Sequence, residues 1–194
     1  MDFGVFDIFR VGIGPSSSHT VGPMRAAANF VDQLVAEGRI NAVARVRAEV
    51  FGSLALTGYG HATDVALLLG LSGERPEKVD PDEATSIVAR IRESGLIRLG
   101  GSFPLRFVEA EDLLMHRRET LPGHTNGMRF TAFDASGEPL HSLVCYSTGG
   151  GFIATEQELQ RRRLPRPPSM SPTPSAPGGK CCRWRSAVAL ASAP

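Results

Sequence analysis

Two histidines stand in loops crowded with glycine and hydroxyl side chains, and they are the natural place to look for chemistry. His19 lies near the end of Gly12-Ile13-Gly14-Pro15-Ser16-Ser17-Ser18-His19-Thr20. His61 closes Gly52-Ser53-Leu54-Ala55-Leu56-Thr57-Gly58-Tyr59-Gly60-His61. A third stretch, Tyr146-Ser147-Thr148-Gly149-Gly150-Gly151, offers hydroxyls and glycines without a histidine. A neutral imidazole near its ordinary pKa is a general base at pH 7. The hydroxyls of Ser16, Ser17, Ser18, Ser53 and Ser147 can hold a carboxylate, and the glycines let its oxygens reach backbone N–H groups. The serine run ends at Gly22-Pro23, where a helical pattern begins. Unpaired amides and the positive end of a helix dipole favour an anion there. A simpler reading stands beside this one: an N-cap with a flexible serine loop.

Other chemistries have less to work with. His61 and Asp64 are three residues apart and could share a metal, but a helix cap or a surface pair gives the same spacing. A phosphate-binding G-x-x-x-x-G-K-[ST], a dinucleotide-binding G-x-G-x-x-G and a G-x-S-x-G nucleophile elbow are all absent. The three cysteines, Cys145, Cys181 and Cys182, are odd in number and show no C-x-x-C. That argues against a disulfide framework and against a metal or cluster site built from this chain alone. His116 and His141 sit in charged or exposed contexts and His124 precedes the turn signal Asn126-Gly127, so no role is expected of them.

Regular elements must place these loops. Residues 22–37 read as a helix with Ala26, Phe30, Leu34 and Val35 as its apolar stripe. Val46, Ala48 and Val50 alternate with Arg45, Arg47 and Glu49, a half-buried strand. The stretch 52–60, with three glycines in nine residues, reads as a loop, or as loops around one short turn. His61-Ala62-Thr63-Asp64 opens an apolar helix, Val65 to Leu71, and Pro81-Asp82-Glu83 opens another that stops at Gly95. Leu96–Leu99 and Leu105–Val108 are short strands, and the charged stretch 109–120 reads as exposed. Met128–Phe133 and Leu140–Tyr146 form a hairpin through residues 134–138. The expected class is α+β, a mixed sheet with helices packed on it.

The charge is unevenly spread. All 20 acidic residues lie at or before Glu158 with 14 of the 21 basic ones, a net charge of −6. Residues 159–194 hold the other seven basic residues and no acid, a net charge of +7. Seven of the 14 prolines fall in 165–194, so 161–194 is expected to be a disordered basic tail after a folded domain over 1–160. An acidic folded part argues against a nucleic-acid binder. No apolar run reaches membrane-spanning length, and the N-terminus lacks a signal-peptide pattern, so no membrane partner and a cytoplasmic location are expected.

Several stretches carry more than local physics. Phe6-Asp7-Ile8-Phe9, Gly12–Thr20 with Val21-Gly22-Pro23-Met24, Gly52–Gly58, Gly60-His61-x-Thr63-Asp64, Asn126-Gly127-Met128 and Tyr146-Ser147-x-Gly149-Gly150-Gly151-Phe152-Ile153 follow one another in a recognisable order. Together they resemble the N-terminal, or β, domain of the bacterial iron–sulfur L-serine dehydratases over about residues 3–160. The resemblance implies conversion of L-serine to pyruvate and ammonia. It implies a 4Fe-4S cluster as Lewis acid on the substrate hydroxyl, a protein base at the α-proton, and no pyridoxal phosphate. By position, Ser16, Ser17, Ser18, Thr20, Ser53, Ser147, Thr148, Gly149 and Gly150 would contact substrate, and His19 and His61 would handle the proton. The cluster's ligands are expected on a larger α domain, or on a separate α subunit in a homo- or hetero-oligomer. No metal ligand is expected in this chain. The same domain resembles a small-molecule-binding regulatory domain of some phosphoglycerate dehydrogenases. The alternative expectation is therefore a non-catalytic binding or dimerising module.

Overall fold

The structure, a computed structural model, describes residues 14–163. The expectations for Phe6–Phe9, for Gly12 and Ile13 and for the tail beyond residue 163 lie outside the described residues. From the serine loop the chain enters α1, Val21–Ala36, which buries Met24, Ala26, Ala27, Phe30, Val31 and Leu34. Val35, expected on the buried stripe, is exposed, because at 100° per residue it turns away from the face of Ala26 and Phe30. A 3-10 turn, Ile40–Ala42, leads into β1, Arg45–Phe51.

The stretch after β1, expected as a loop or as loops around one short turn, holds two short helical pieces, α2, Ser53–Thr57, and a 3-10 turn, Tyr59–His61. Leu54 and Ala55 are buried in the core, which stabilises helix where the glycines argue for loop. Gly52 starts the turn at φ +58°, where a Cβ would overlap the Thr125 carbonyl. Then come α3, Thr63–Leu71, and α4, Pro81–Ser94. The two short strands β2, Leu96–Leu99, and β3, Phe103–Arg106, form a separate two-stranded sheet.

The charged stretch 109–120 holds α5, Glu109–Asp112, and β4, Leu113–His116, so the expectation of exposure is corrected over its first part. Asp112 is buried because Arg45 Nε donates to it at 2.6 Å and the Val108 amide at 2.8 Å. The strands β5, Gly127–Phe133, β6, Pro139–Gly149, and β7, Phe152–Thr155, follow, and α6, Glu156–Arg163, ends the described chain.

The main sheet has the order β4-β1-β5-β6-β7. Strands β1 and β4 are parallel and the other pairs antiparallel. This is the expected mixed sheet with helices packed on it. Val46, Ala48, Val50, Met128, Phe130, Ala132 and Cys145 meet α1 and α3 in one core. Phe30 of α1 lies over Phe130 with ring centroids 5.5 Å apart. Burying each such side chain contributes about 1.5–3 kcal/mol. The helix α3 is buried nearly all round, from Ala66 to Leu71, and so lacks an amphipathic stripe. Among the described residues no helix is long and apolar enough to cross a membrane.

The register decides where chemistry gathers. Gly127 pairs with Tyr146 and Val50 with Met128, so the C-terminal ends of β1 and β6 and the start of β5 lie at one edge of the sheet. The two glycine-rich segments after β1 and at the end of β6 therefore emerge side by side.

Candidate functional site

The serine loop is a tight turn rather than a flexible lead. The amides of His19 and Thr20 both donate to the Ser16 carbonyl at 3.0 Å, and Gly22 N donates to Ser17 O. Thr20 occupies the N-cap of α1, yet its Oγ1 donates to Ser16 O at 2.8 Å and caps nothing. The first turn of α1 carries no acid either. Among the described residues nothing accepts from the amides of Ser17 and Ser18. In the first turn of α1 the amides of Gly22 and Met24 donate to Ser17 O and Thr20 O and Pro23 has none, so the two open amides belong to the turn just before the helix, which no side chain caps.

Ser147 is fully buried, and its Oγ donates to the Ser18 carbonyl at 2.7 Å. Its own backbone is held by Asn126, which accepts from Ser147 N at 3.0 Å and donates Nδ2 to Ser147 O at 3.3 Å. Strand β6 thereby braces the loop through one hydroxyl. The approach is close enough that a Cβ at Gly22 would overlap Ser147 Oγ. Changing Ser147 to alanine removes the partner of the Ser18 carbonyl and is expected to lower stability by about 1 kcal/mol. Urea unfolding measures it, and an unchanged midpoint would remove Ser147 as the brace.

The two histidines meet. Their ring centroids are 4.9 Å apart at an interplanar angle of 36°. His61 Nδ1 lies 3.0 Å from the Thr57 carbonyl. A carbonyl only accepts, so this nitrogen carries the proton and the Nε2 of neutral His61 is a free base. His19 Nδ1 lies 3.0 Å from Ser18 Oγ and 3.3 Å from Ser16 Oγ, which touch each other at 3.1 Å. The His19 carbonyl accepts from Thr63 Oγ1 at 2.8 Å. Thr63, fully buried at the start of α3, therefore ties the two histidine-bearing segments together.

Burial holds the His19 imidazole below its ordinary pKa of 6.5, and the neighbouring His61 pushes the same way; the Ser53 backbone opposes them. The folded state therefore binds a proton at His19 less readily than the unfolded chain does. The contribution to stability is complete above pH 6.5 and is lost as pH falls from there through the lower folded-state pKa. A His19→Gln variant is expected to show a flatter decline of unfolding free energy below pH 6.5, read from denaturant curves at several pH values. An unchanged slope would sink the coupling.

Of the other residues singled out in the sequence, Ser53 opens α2 and Thr57 Oγ1 donates to its carbonyl at 3.0 Å. Thr148 and Gly149 are partly exposed at the end of β6, and Gly150 is exposed in the turn to β7. Ser17 is exposed, Ser16 and Ser18 are partly exposed, and Thr20 is buried. His61 and Asp64 do not face a common ligand: Asp64 is buried and bonded to Arg92 Nη2 at 2.6 Å. His116 and His141 are partly buried, not exposed. His116 stacks on Phe51 and pairs with Glu49, and His141 contacts Gln33, Glu37 and Phe30. Asn126, Thr63 and Arg92 carry contacts that local sequence pattern does not reveal; Asn126 and Thr63 lie inside stretches that carry the resemblance.

Among the described residues four buried side-chain polar atoms lack a hydrogen-bond partner, and three lie in or beside this network: His19 Nε2, Asn126 Oδ1 and Asp64 Oδ1. Native proteins keep few such atoms, so their concentration here marks a region built for more than packing.

Comparison with known proteins shows the family of the chain. Residues 4–158 match the family model described as serine dehydratase beta chain. An L-serine dehydratase of Streptomyces coelicolor is 47% identical over 164 residues, 84% of this chain and 36% of that protein. One from Mycobacterium bovis is 48% identical over 157 residues, 81% of this chain and 34% of that protein. L-serine dehydratase TdcG of Escherichia coli is 46% identical over 155 residues, covering 79% and 34%. The chain thus spans about a third of the length of these relatives. Matched along most of its length, it belongs to the serine dehydratase beta chain family.

Proposed function

We propose that this chain supplies the substrate-orienting and proton-handling part of an L-serine dehydratase, which converts L-serine to pyruvate and ammonia. The observation that carries the reading is the imidazole pair beside the serine turn that leads into α1. The amides of Ser17 and Ser18, in the turn that leads into α1, hold the substrate carboxylate near the positive end of the helix dipole. The hydroxyls of Ser16 and Ser18 fix the His19 ring by its Nδ1. His61 Nε2, freed by the bond from Nδ1 to Thr57, takes the α-proton. Two rings 4.9 Å apart hold one proton more easily than two, so His19 stays neutral and orients while His61 is charged. Departure of the β-hydroxyl as water then leaves an enamine, which becomes the imine and hydrolyses to pyruvate and ammonia. Ser147 and Thr20 act as braces, and Ser53, Thr148, Gly149 and Gly150 edge the site.

The 4Fe-4S cluster that the resemblance implies does not fit the described residues. Cys145 is the cysteine among them; it is buried, and burial pushes its thiol up to about 12. No group of three or more His, Cys, Asp or Glu among the described residues is placed to hold a metal. The cluster would be held by a part corresponding to the two-thirds of the relatives that this chain does not span, as a domain or a separate subunit, and would supply a Lewis acid there.

The reading is tested by joining residues 1–160 of this chain to the remaining two-thirds of the Streptomyces coelicolor relative. Serine-dependent pyruvate and ammonia in equal amounts are expected under anaerobic conditions. A folded joined protein that makes neither, beside an active relative, would overturn it.

A further inference from the structure

Asp64 is out of place by composition. It is a carboxylate in the first turn of α3, the helix that is otherwise apolar and buried nearly all round. Only 5% of its surface is exposed. One oxygen, Oδ2, accepts from Arg92 Nη2 at 2.6 Å; the other, Oδ1, is buried with no partner. The Arg92 side chain is 43% exposed, so the buried carboxylate of Asp64 bears the desolvation cost, and its unsatisfied oxygen adds to it. An apolar residue would serve packing better. The pair therefore calls for an explanation other than stability.

Its place supplies one. Arg92 lies in the last turn of α4 and also holds Glu109 of α5, through Nε at 2.9 Å and Nη2 at 3.0 Å. A guanidinium gripping two carboxylates is a rigid fork, and those carboxylates raise its already high pKa. Asp64 follows Thr63, whose hydroxyl holds the His19 carbonyl, and stands three residues after His61. Between them Ala62 adopts φ +59° and ψ 32°, a left-handed conformation that costs a non-glycine residue about 1–2 kcal/mol. Such a residue persists where its surroundings over-determine it. Any slide or rotation of the first turn of α3 moves the His19 carbonyl through Thr63 and the His61 ring through Ala62.

We propose that the Asp64–Arg92 ion pair is a positioning device, which pins the first turn of α3 to α4 and so sets the approach of the His19 and His61 rings. Its importance rests on those rings being the proton-handling pair. The spacing itself is read without any activity, so the two ideas fail separately.

The test uses the full isotope-labelled chain and two variants, Asp64→Asn and Arg92→Lys, followed by imidazole NMR titration and ring-to-ring nuclear Overhauser contacts. In the unaltered chain His19 titrates below 6.5. Asp64→Asn is expected to raise the His19 midpoint toward 6.5 and to weaken the ring contact, because His61 moves away. The sign is diagnostic. Loss of a negative charge alone would push a histidine pKa down, not up. Arg92→Lys keeps the charge but loses the fork, and the same upward shift is expected. Unchanged or lowered His19 midpoints with an intact ring contact, in a variant that keeps its circular dichroism, would overturn the proposal. So would loss of the fold in both variants, which would make the pair a folding element.

Discussion

Replacing His61 by alanine in the joined protein is expected to lower kcat for pyruvate formation by about 10²–10⁴-fold, the usual worth of a positioned general base. The reason lies in one hydrogen bond. Thr57 O takes the Nδ1 proton, so the Nε2 lone pair exists before substrate arrives. His61 is partly exposed, so far-UV circular dichroism and the unfolding midpoint should stay nearly unchanged. His19→Ala should also reduce kcat, and the double variant should cost little more than the worse single one, because residues acting as a unit are not additive. Normal turnover after His61→Ala would remove it from the mechanism. Free energies that simply add would mean the rings act independently.

The second large effect concerns the platform beneath the loop. Phe30→Ala is expected to destabilise the protein by about 3–5 kcal/mol. Phe30 is fully buried on α1, stacked on Phe130 of β5 and tilted against His141, with ring centroids 5.5 Å and 5.7 Å apart. Alanine removes both contacts at the point where α1 grips the sheet, and Ala26, Ala27 and Ala28 beside it have no reach to refill the space. Urea unfolding with an unchanged slope measures the loss, and the midpoint temperature should fall by about 10 °C. A loss under about 1 kcal/mol would mean that the α1–sheet contact is not what holds the serine loop in place.

The parts of the fold that were legible in the sequence are those whose signals are local. Asp80 caps α4, with its Oδ1 accepting from Asp82 and Glu83, and Gly95 ends it at φ +66°; the proline and acids announce its start and the glycine its end. The hairpin of β5 and β6 follows from alternation and from Asp134, whose carboxylate accepts from the amides of Ser136 and Glu138. The strand β4 was hidden because its preceding charge, Asp112, is neutralised by Arg45, 67 residues away. The helix α2 was hidden by glycines, since only the tertiary burial of Leu54 and Ala55 reveals it.

The site divides in the same way. The histidines and hydroxyls stand out by type, and the resemblance names the same loops. What neither shows is the division of labour among hydroxyls. Ser147 and Thr20 spend theirs on backbone carbonyls, while Ser16 and Ser18 turn theirs to His19. That depends on a 2.7 Å contact across 129 residues, which no local pattern encodes.

The most direct measurement mixes this chain, as it stands, with the separately produced remaining two-thirds of a relative and follows pyruvate from L-serine. The expected result is pyruvate and ammonia only when both parts are present, abolished when the added chain carries His61→Ala. A stable complex of the two parts that yields no pyruvate, while the intact relative turns over serine in the same buffer, would contradict it.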